Sequence, residues 1–276
     1  MGNLLFYIFV ILVILIPFLY RIVRTGSITF FKNSTDFASD LNYQKAEKIR
    51  IIQVLIGFIY LVFHGSIFWG WLNIGLFIFI TFSISLIIEI IGSKTGLIFG
   101  GKYNYNSNLT PGRTVLNIPV LIPIAWIILT YMSFNLYCLI SGLGPEIILN
   151  KTSNVYIVPC LILMFLDMIL DPIAVNEGRW SWNNKFRYYD VPLMNFVGWF
   201  ITSFLVFFVF SKVSFPTVLE ERAPDIVQYA PGLLFIFVQL IAVRPCIERN
   251  LKLPAILGMI LSLFYILIIL TNTYSV

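Results

Sequence analysis

An all-α bundle of membrane-spanning helices is the fold class this sequence predicts, on three observations. Of its 276 residues 59% are hydrophobic and 11% charged, with a mean hydropathy of +0.91, far outside the range of a soluble globular domain. Apolar stretches long enough to cross a bilayer, about 17 to 25 residues each, recur along the chain. The Lys and Arg residues concentrate in alternate connections. Together these predict a polytopic bundle of about eight transmembrane helices, with seven as the alternative, forming a single transmembrane domain over 1–276.

The expected spans are 4–20, 51–70, 73–91, 118–140, 154–171, 192–211, 230–247 and 254–272. No Lys or Arg precedes the first, and it leads into Arg21 and Arg24 where a signal peptide would have a small-residue cleavage site, so it reads as a retained helix. With both termini outside, the inside connections 21–50, 92–117, 172–191 and 244–253 hold 15 of the 18 Lys and Arg residues. That satisfies the positive-inside rule for a multi-pass protein of the cell membrane. The net charge of +5 then reports topology and contact with membrane lipid, and nucleic acid is not an expected partner.

The connection 21–50 mixes Asp36, Asp40 and Glu47 with its bases and lacks an aromatic pattern. It is expected to be a solvated connector with a short surface helix near DLNYQKAEKIR. Arg244, Glu248 and Arg249 are expected to form an interfacial ion cluster without chemistry. Cys138, Cys160 and Cys246 have no paired spacing and read as reduced packing residues, and no metal is expected because no CxxC motif or His/Cys cluster exists. His64, mid-way along the second span, is expected to make an interhelical hydrogen bond.

Three carboxylates stand apart. Glu89 ends GLFIFITFSISLIIEIIG, while Asp167 and Asp171 end YIVPCLILMFLDMILD. Acids are costly in such segments and mark function. Asp167 and Asp171, four residues apart, share one helix face, and two negative charges there repel in a medium that screens poorly, so one is expected to hold a proton. An acid of that kind can donate a proton to a substrate lying in the membrane, with another carboxylate as charge balancer or water-activating base. The competing expectation is structural pairing with Arg179, Arg187 or Lys94.

Each acid-bearing span leads into a connection rich in Gly, Asn and aromatics, at 92–117 and 172–190, and then into a similar helix start, NIPVLIPIAWIILT and DVPLMNFVGWFITS. Pro119 aligns with Pro192, Ala125 with Gly198 and Trp126 with Trp199. Both units read acid, Gly, aromatic-x-aromatic (Tyr103 and Tyr105; Trp180 and Trp182), Pro, small residue, Trp. Two crossings separate them, so units at approximately 73–140 and 154–211 are expected to be parallel repeats around a shared site. Protonation of a trisubstituted alkene gives a tertiary carbocation, which the faces of Tyr103, Tyr105, Trp126, Trp180, Trp182 and Trp199 can stabilise. An aromatic belt at the interface is the plainer role for any one of them. Asn104, Asn106, Asn117, Asn183, Asn184 and Asn195 add hydrogen-bonding groups, and Asn195, within VPLMNFVGWF, needs a partner that a carboxyl, a reacting water or a neighbouring helix would supply.

The segments EIIGSKTGLIFGGKYNY, NIPVLIPIAW, LDMILDP and DVPLMNFVGW resemble the carotenoid biosynthesis protein family, integral membrane carotenoid 1',2'-hydratases of the bisanhydrobacterioruberin hydratase type. The resemblance covers 85–205. It implies addition of water across the terminal C1',2' double bond of an acyclic carotenoid, with no cofactor. It places Glu89, Asp167 and Asp171 as the proton-transferring residues, and admits other carotenoid-pathway enzymes as partners. The family's glycine before each proline turn is replaced here by Asn117 and Asp190, which leaves the substrate end group open. Two alternatives stay beside this one. A lycopene-type cyclase begins with the same protonation, and a proton-coupled transporter also uses intramembrane acids, although acids gathered near one side argue against transport.

Overall fold

A computed structural model of the chain describes residues 2–26, 40–110, 112–150, 156–182, 187–216 and 226–273. Asp36, Asn183 and Asn184 lie outside these residues. Among the described residues eight helical runs are long and apolar enough to cross a membrane. The first comprises α1 (Gly2–Val10) and α2 (Ile16–Thr25), joined through a π-helical turn at Ile11–Leu15. The others are α3 (Asp40–Phe68), α4 (Gly70–Thr95), α5 (Leu121–Ser141), α6 (Ile157–Asn176), α7 (Leu193–Val213), α8 (Ile226–Glu248) and α9 (Lys252–Thr273). At about 1.5 Å per residue, twenty residues match the roughly 30 Å hydrocarbon layer.

Through most of their length α4 to α9 are apolar all round, so what distinguishes their faces is polarity turned inward. Ile52, Leu55 and Ile59 on α3, and Ile256, Ile260, Leu263 and Leu267 on α9, lie exposed at helical spacing on the periphery, as lipid contact requires. His64, Thr130, Asn135 and Gln239 are buried. Helix α5 is central, packed against α3, α4, α6 and α8. His64 bridges two neighbours, its Nδ1 lying 2.6 Å from Tyr131 Oη and its Nε2 2.9 Å from the Val227 carbonyl. All three cysteines are free and buried.

The expected solvated connector ends earlier than its composition suggests. DLNYQKAEKIR forms the opening turns of α3, with Tyr43, Ala46 and Glu47 buried along one face. The helix continues through these polar residues because Glu47 is neutralised, by Arg50 at 3.1 Å and by Arg179 at 3.2 Å.

The connections 96–120 and 177–192 carry short strands that the helical pattern did not predict. Strands β1 (Tyr103–Tyr105) and β4 (Trp180–Trp182) pair antiparallel, setting Tyr103 opposite Trp182 and Tyr105 opposite Trp180. Strands β2 (Thr114–Val115) and β3 (Ile118–Pro119) form a hairpin, as do β5 (Arg187–Tyr188) and β6 (Val191–Pro192). Both hairpins turn on two residues of positive φ, Leu116 and Asn117 at +49° and +72°, and Tyr189 and Asp190 at +50° and +65°. That is the signature of a type I′ turn, whose second position suits Asn and Asp. Each hairpin runs straight into a helix, α5 or α7. Helix α4 packs on α5 as α6 packs on α7, and α4 meets α7 as α5 meets α6.

Candidate active site

Glu89 lies six residues from the end of α4 and Asp171 five from the end of α6, each about 8 to 9 Å inside its helix terminus. Helix α4 stops at Gly96, whose left-handed φ of +76° and close approach to the Lys102 nitrogen, 2.7 Å from where a Cβ would sit, exclude other residues. The chain then doubles back beneath Glu89. Because alternate strand residues share a face, Tyr103 and Tyr105 both point their hydroxyls at Glu89 Oε2, Tyr105 at 2.9 Å. Trp126 of α5 donates its indole N–H to Oε1 at 3.1 Å. Burial and the adjacent carboxylate push both phenols well above their ordinary range, so they remain O–H donors.

The second acidic centre faces α7. Asn195 Nδ2 donates to Asp167 Oδ2 at 2.8 Å and to Asp171 Oδ2 at 2.7 Å, and the two carboxyls are within hydrogen-bonding reach of each other. Asp167 Oδ1 and Trp182 Nε1 are buried with no hydrogen-bond partner among the described residues. Trp126 and Trp199 stack between helices α5 and α7 with ring centroids 3.9 Å apart, and Tyr103 lies 5.3 Å from Trp182, Tyr105 5.6 Å from Trp180.

One cavity of about 440 Å³ joins these groups. Glu89, Asp167 and Asp171 line it, and so do Tyr103, Tyr105, Trp126, Trp180, Trp182, Asn195 and Trp199. Of the basic residues set against the acids, Arg179 pairs with Glu177 at 2.5 Å and with Glu47, and Arg187 with Asp190 at 3.2 Å; no ion pair of Lys94 with Glu89, Asp167 or Asp171 is present among the described residues. Among the described residues no cluster of three or more His, Cys, Asp or Glu residues has a metal-holding arrangement.

A family model described as carotenoid biosynthesis protein matches residues 49–265. The chain belongs to the carotenoid biosynthesis protein family. A curated relative, bisanhydrobacterioruberin hydratase of Haloarcula japonica, is 27% identical over 123 residues, which is 45% of this chain and 40% of the relative's length. The matched part therefore spans well under half of that protein. No solved structure matches.

In this member of the carotenoid biosynthesis protein family, the same cavity has a second, ionic end that was not foreseen. Tyr20, Glu47, Arg50, Glu177, Arg179 and Arg244 line it. Burial opposes a charge on Glu177, but Arg179, Arg50 and Arg249 outweigh it and draw its carboxyl down to about 2. Arg249 holds Glu177 Oε1 at 2.6 Å, and Arg21 holds Glu248 at 2.6 Å, so the 244–249 segment is tied to the rest of the bundle by ion pairs.

Phe99 also went unnoticed. Its buried ring lines the cavity, wedged where Cβ atoms on Gly92 and Gly198 would come within 2.4 and 2.6 Å of it. A Gly→Ala change in an open helix interior stabilises by up to about 1 kcal/mol. At Gly198 the expected result is the opposite, a loss of about 1–3 kcal/mol from overpacking, read as a lower thermal midpoint of Gly198→Ala in detergent.

Proposed function

We propose that the chain is a carotenoid hydratase, adding water across the terminal C1',2' double bond of an acyclic carotenoid without redox chemistry. The observation that carries this is the meeting of two acidic centres and stacked aromatic walls around one cavity, beside two buried polar atoms, Asp167 Oδ1 and Trp182 Nε1, without hydrogen-bond partners. Family membership and the hydratase relative add support.

In the proposed mechanism the aspartate pair holds one proton, shared through contacts that leave Asp167 Oδ1 facing no protein partner. Asp167 delivers the proton to C2', and the π electrons of the double bond form the new C–H bond. The positive charge appears at the tertiary C1' carbon. Glu89 accepts three hydrogen bonds, which suits an anion, and with the Trp126 and Trp199 faces it stabilises that charge, each aromatic face by roughly 0.5 to 2 kcal/mol. Water attacks C1', and its surplus proton returns to the aspartate pair, restoring the acid.

Hydration is favoured over cyclisation because the cavity offers water a place. An indole N–H can only donate, so Trp182 needs an acceptor, and buried water typically sits among otherwise unsatisfied groups. In heavy water, Trp182→Phe is expected to keep the ring but release more cations by deprotonation. The ratio of hydrated product to deuterium-labelled starting polyene should fall about tenfold, the equivalent of one lost hydrogen bond. An unchanged ratio by mass spectrometry would remove Trp182 from water capture.

We also infer that the chain forms one membrane domain in which units 73–140 and 154–211 are parallel repeats, supported by matching hairpin turns and matching helix contacts. The positive-inside pattern supports a site at the cytoplasmic face of the cell membrane with both termini outside. Expression in a host that accumulates an acyclic carotenoid tests the function. A product heavier by one water supports it, and a cyclised product of unchanged mass overturns it.

A further inference from the structure

A long polyene exceeds the cavity that receives its reacting end. About 440 Å³ is the scale of a pocket for a drug-sized ligand, so most of an acyclic carotenoid bound there lies outside the site. Its chain has to leave between two helices.

Round the cavity, neighbouring helices pack on one another pair by pair, α2 on α3, α3 on α5, α5 on α6 and α6 on α8. The ring is open at one joint. Among the described residues α1 and the π-helical turn pack against α8, whereas α2 lies along α3 and does not pack along α8. These two helices are tied again at their ends, where Arg21 Nη1 and Nη2 donate to Glu248 at 3.0 and 2.6 Å. Between the π turn and this ion pair is a window, about 10 Å tall from Ile241 to Glu248 along α8.

The rims of the window are also wall of the cavity. Pro17 and Tyr20 on α2, and Val238, Ile241 and Pro245 at helical spacing on α8, line the cavity and are half-buried. The upper edge is built to give. The π turn and Pro17 interrupt the regular hydrogen-bond ladder of the first span, and that span is the least buried of the eight among the described residues. Swinging its inner half therefore sacrifices little packed surface.

We propose that the window between α2 and α8 is the passage by which the carotenoid enters from lipid, and that the non-reacting part of its chain lies there during the reaction. This rests on the hydratase function proposed above and adds a chain-binding site to it. The occupant is a linear hydrocarbon, continuous with the end group held among the acids.

The test uses the full chain in lipid vesicles with two probes, an acyclic carotenoid and a short acyclic isoprenoid carrying the same terminal double bond. Ile241→Trp fills the window, while Leu240→Trp adds similar bulk on the neighbouring face of α8, toward α9. Ile241→Trp should lower kcat/KM for the carotenoid about tenfold or more and change that for the short probe less than about threefold, and Leu240→Trp should leave both near wild type. Because both probes are measured on one preparation, a loss of folded protein cancels. If Ile241→Trp does not fold, Ile241→Phe takes its place, and if wild type ignores the short probe, the two tryptophan variants are compared on the carotenoid with equal thermal midpoints. Wild-type use of the carotenoid by Ile241→Trp, an equal loss on both probes, or a loss in Leu240→Trp instead overturns the window and leaves the hydratase function standing. Hydration of neither probe by wild type overturns the hydratase function.

Discussion

Asp167→Asn is expected to lower the rate of hydration by about 10²- to 10⁴-fold, the range for removing a positioned general acid. The substitution keeps the shape of the side chain, and Asn195 still has an oxygen to bind on Asp171. What disappears is the acid proton of Asp167, whose Oδ1 has no hydrogen-bond partner among the described residues. Asp171→Asn should cost less, because Asp167 keeps its own proton and its exposure to the cavity. The measurement is hydrated pigment per unit of folded enzyme, with the thermal midpoint as control for folding. Full activity in Asp167→Asn would move the donor role to Glu89 and overturn the proposed proton path.

Glu89→Gln is expected to slow the reaction about 10²- to 10³-fold, the scale of removing a preorganised electrostatic group at a developing charge. The amide can still be accommodated. Its nitrogen cannot face the Trp126 N–H, which only donates, so it must face Tyr103 and Tyr105, whose hydroxyls can turn to accept. Shape and hydrogen bonding are therefore largely kept while the negative charge is lost. A thermal midpoint close to wild type together with the rate loss would identify the charge as the cause. Full activity would exclude Glu89 from stabilising the cation.

Much of this was legible in the sequence because hydrocarbon is a strict solvent. Spans must be apolar, so eight of them stand out, and acids within them are too costly to be incidental, so Glu89, Asp167 and Asp171 stand out as well. The alternation in Tyr103-x-Tyr105 and Trp180-x-Trp182 carried strand information, since a period of two puts both rings on one side. The pairing of these two segments with each other, however, was a tertiary fact. Glu47 was missed for the same reason. DLNYQKAEKIR has the composition of a solvated surface, and the residue that makes burial tolerable, Arg179, lies 132 positions away. The turns at Leu116–Asn117 and Tyr189–Asp190 escaped notice because neither contains the glycine that usually marks a type I′ hairpin.

The antiparallel clasp of β1 with β4 sets an order on biogenesis. Ribosomal synthesis delivers Glu89 and its tyrosines to the bilayer while the tryptophan strand and the aspartate helix are still unmade. For that interval an acid sits in lipid with half its enclosure missing, and the chamber closes only when the later hairpin docks. Chain halves made as separate polypeptides would each carry an incomplete set of proton-handling groups, and catalytic competence would arise at their reunion.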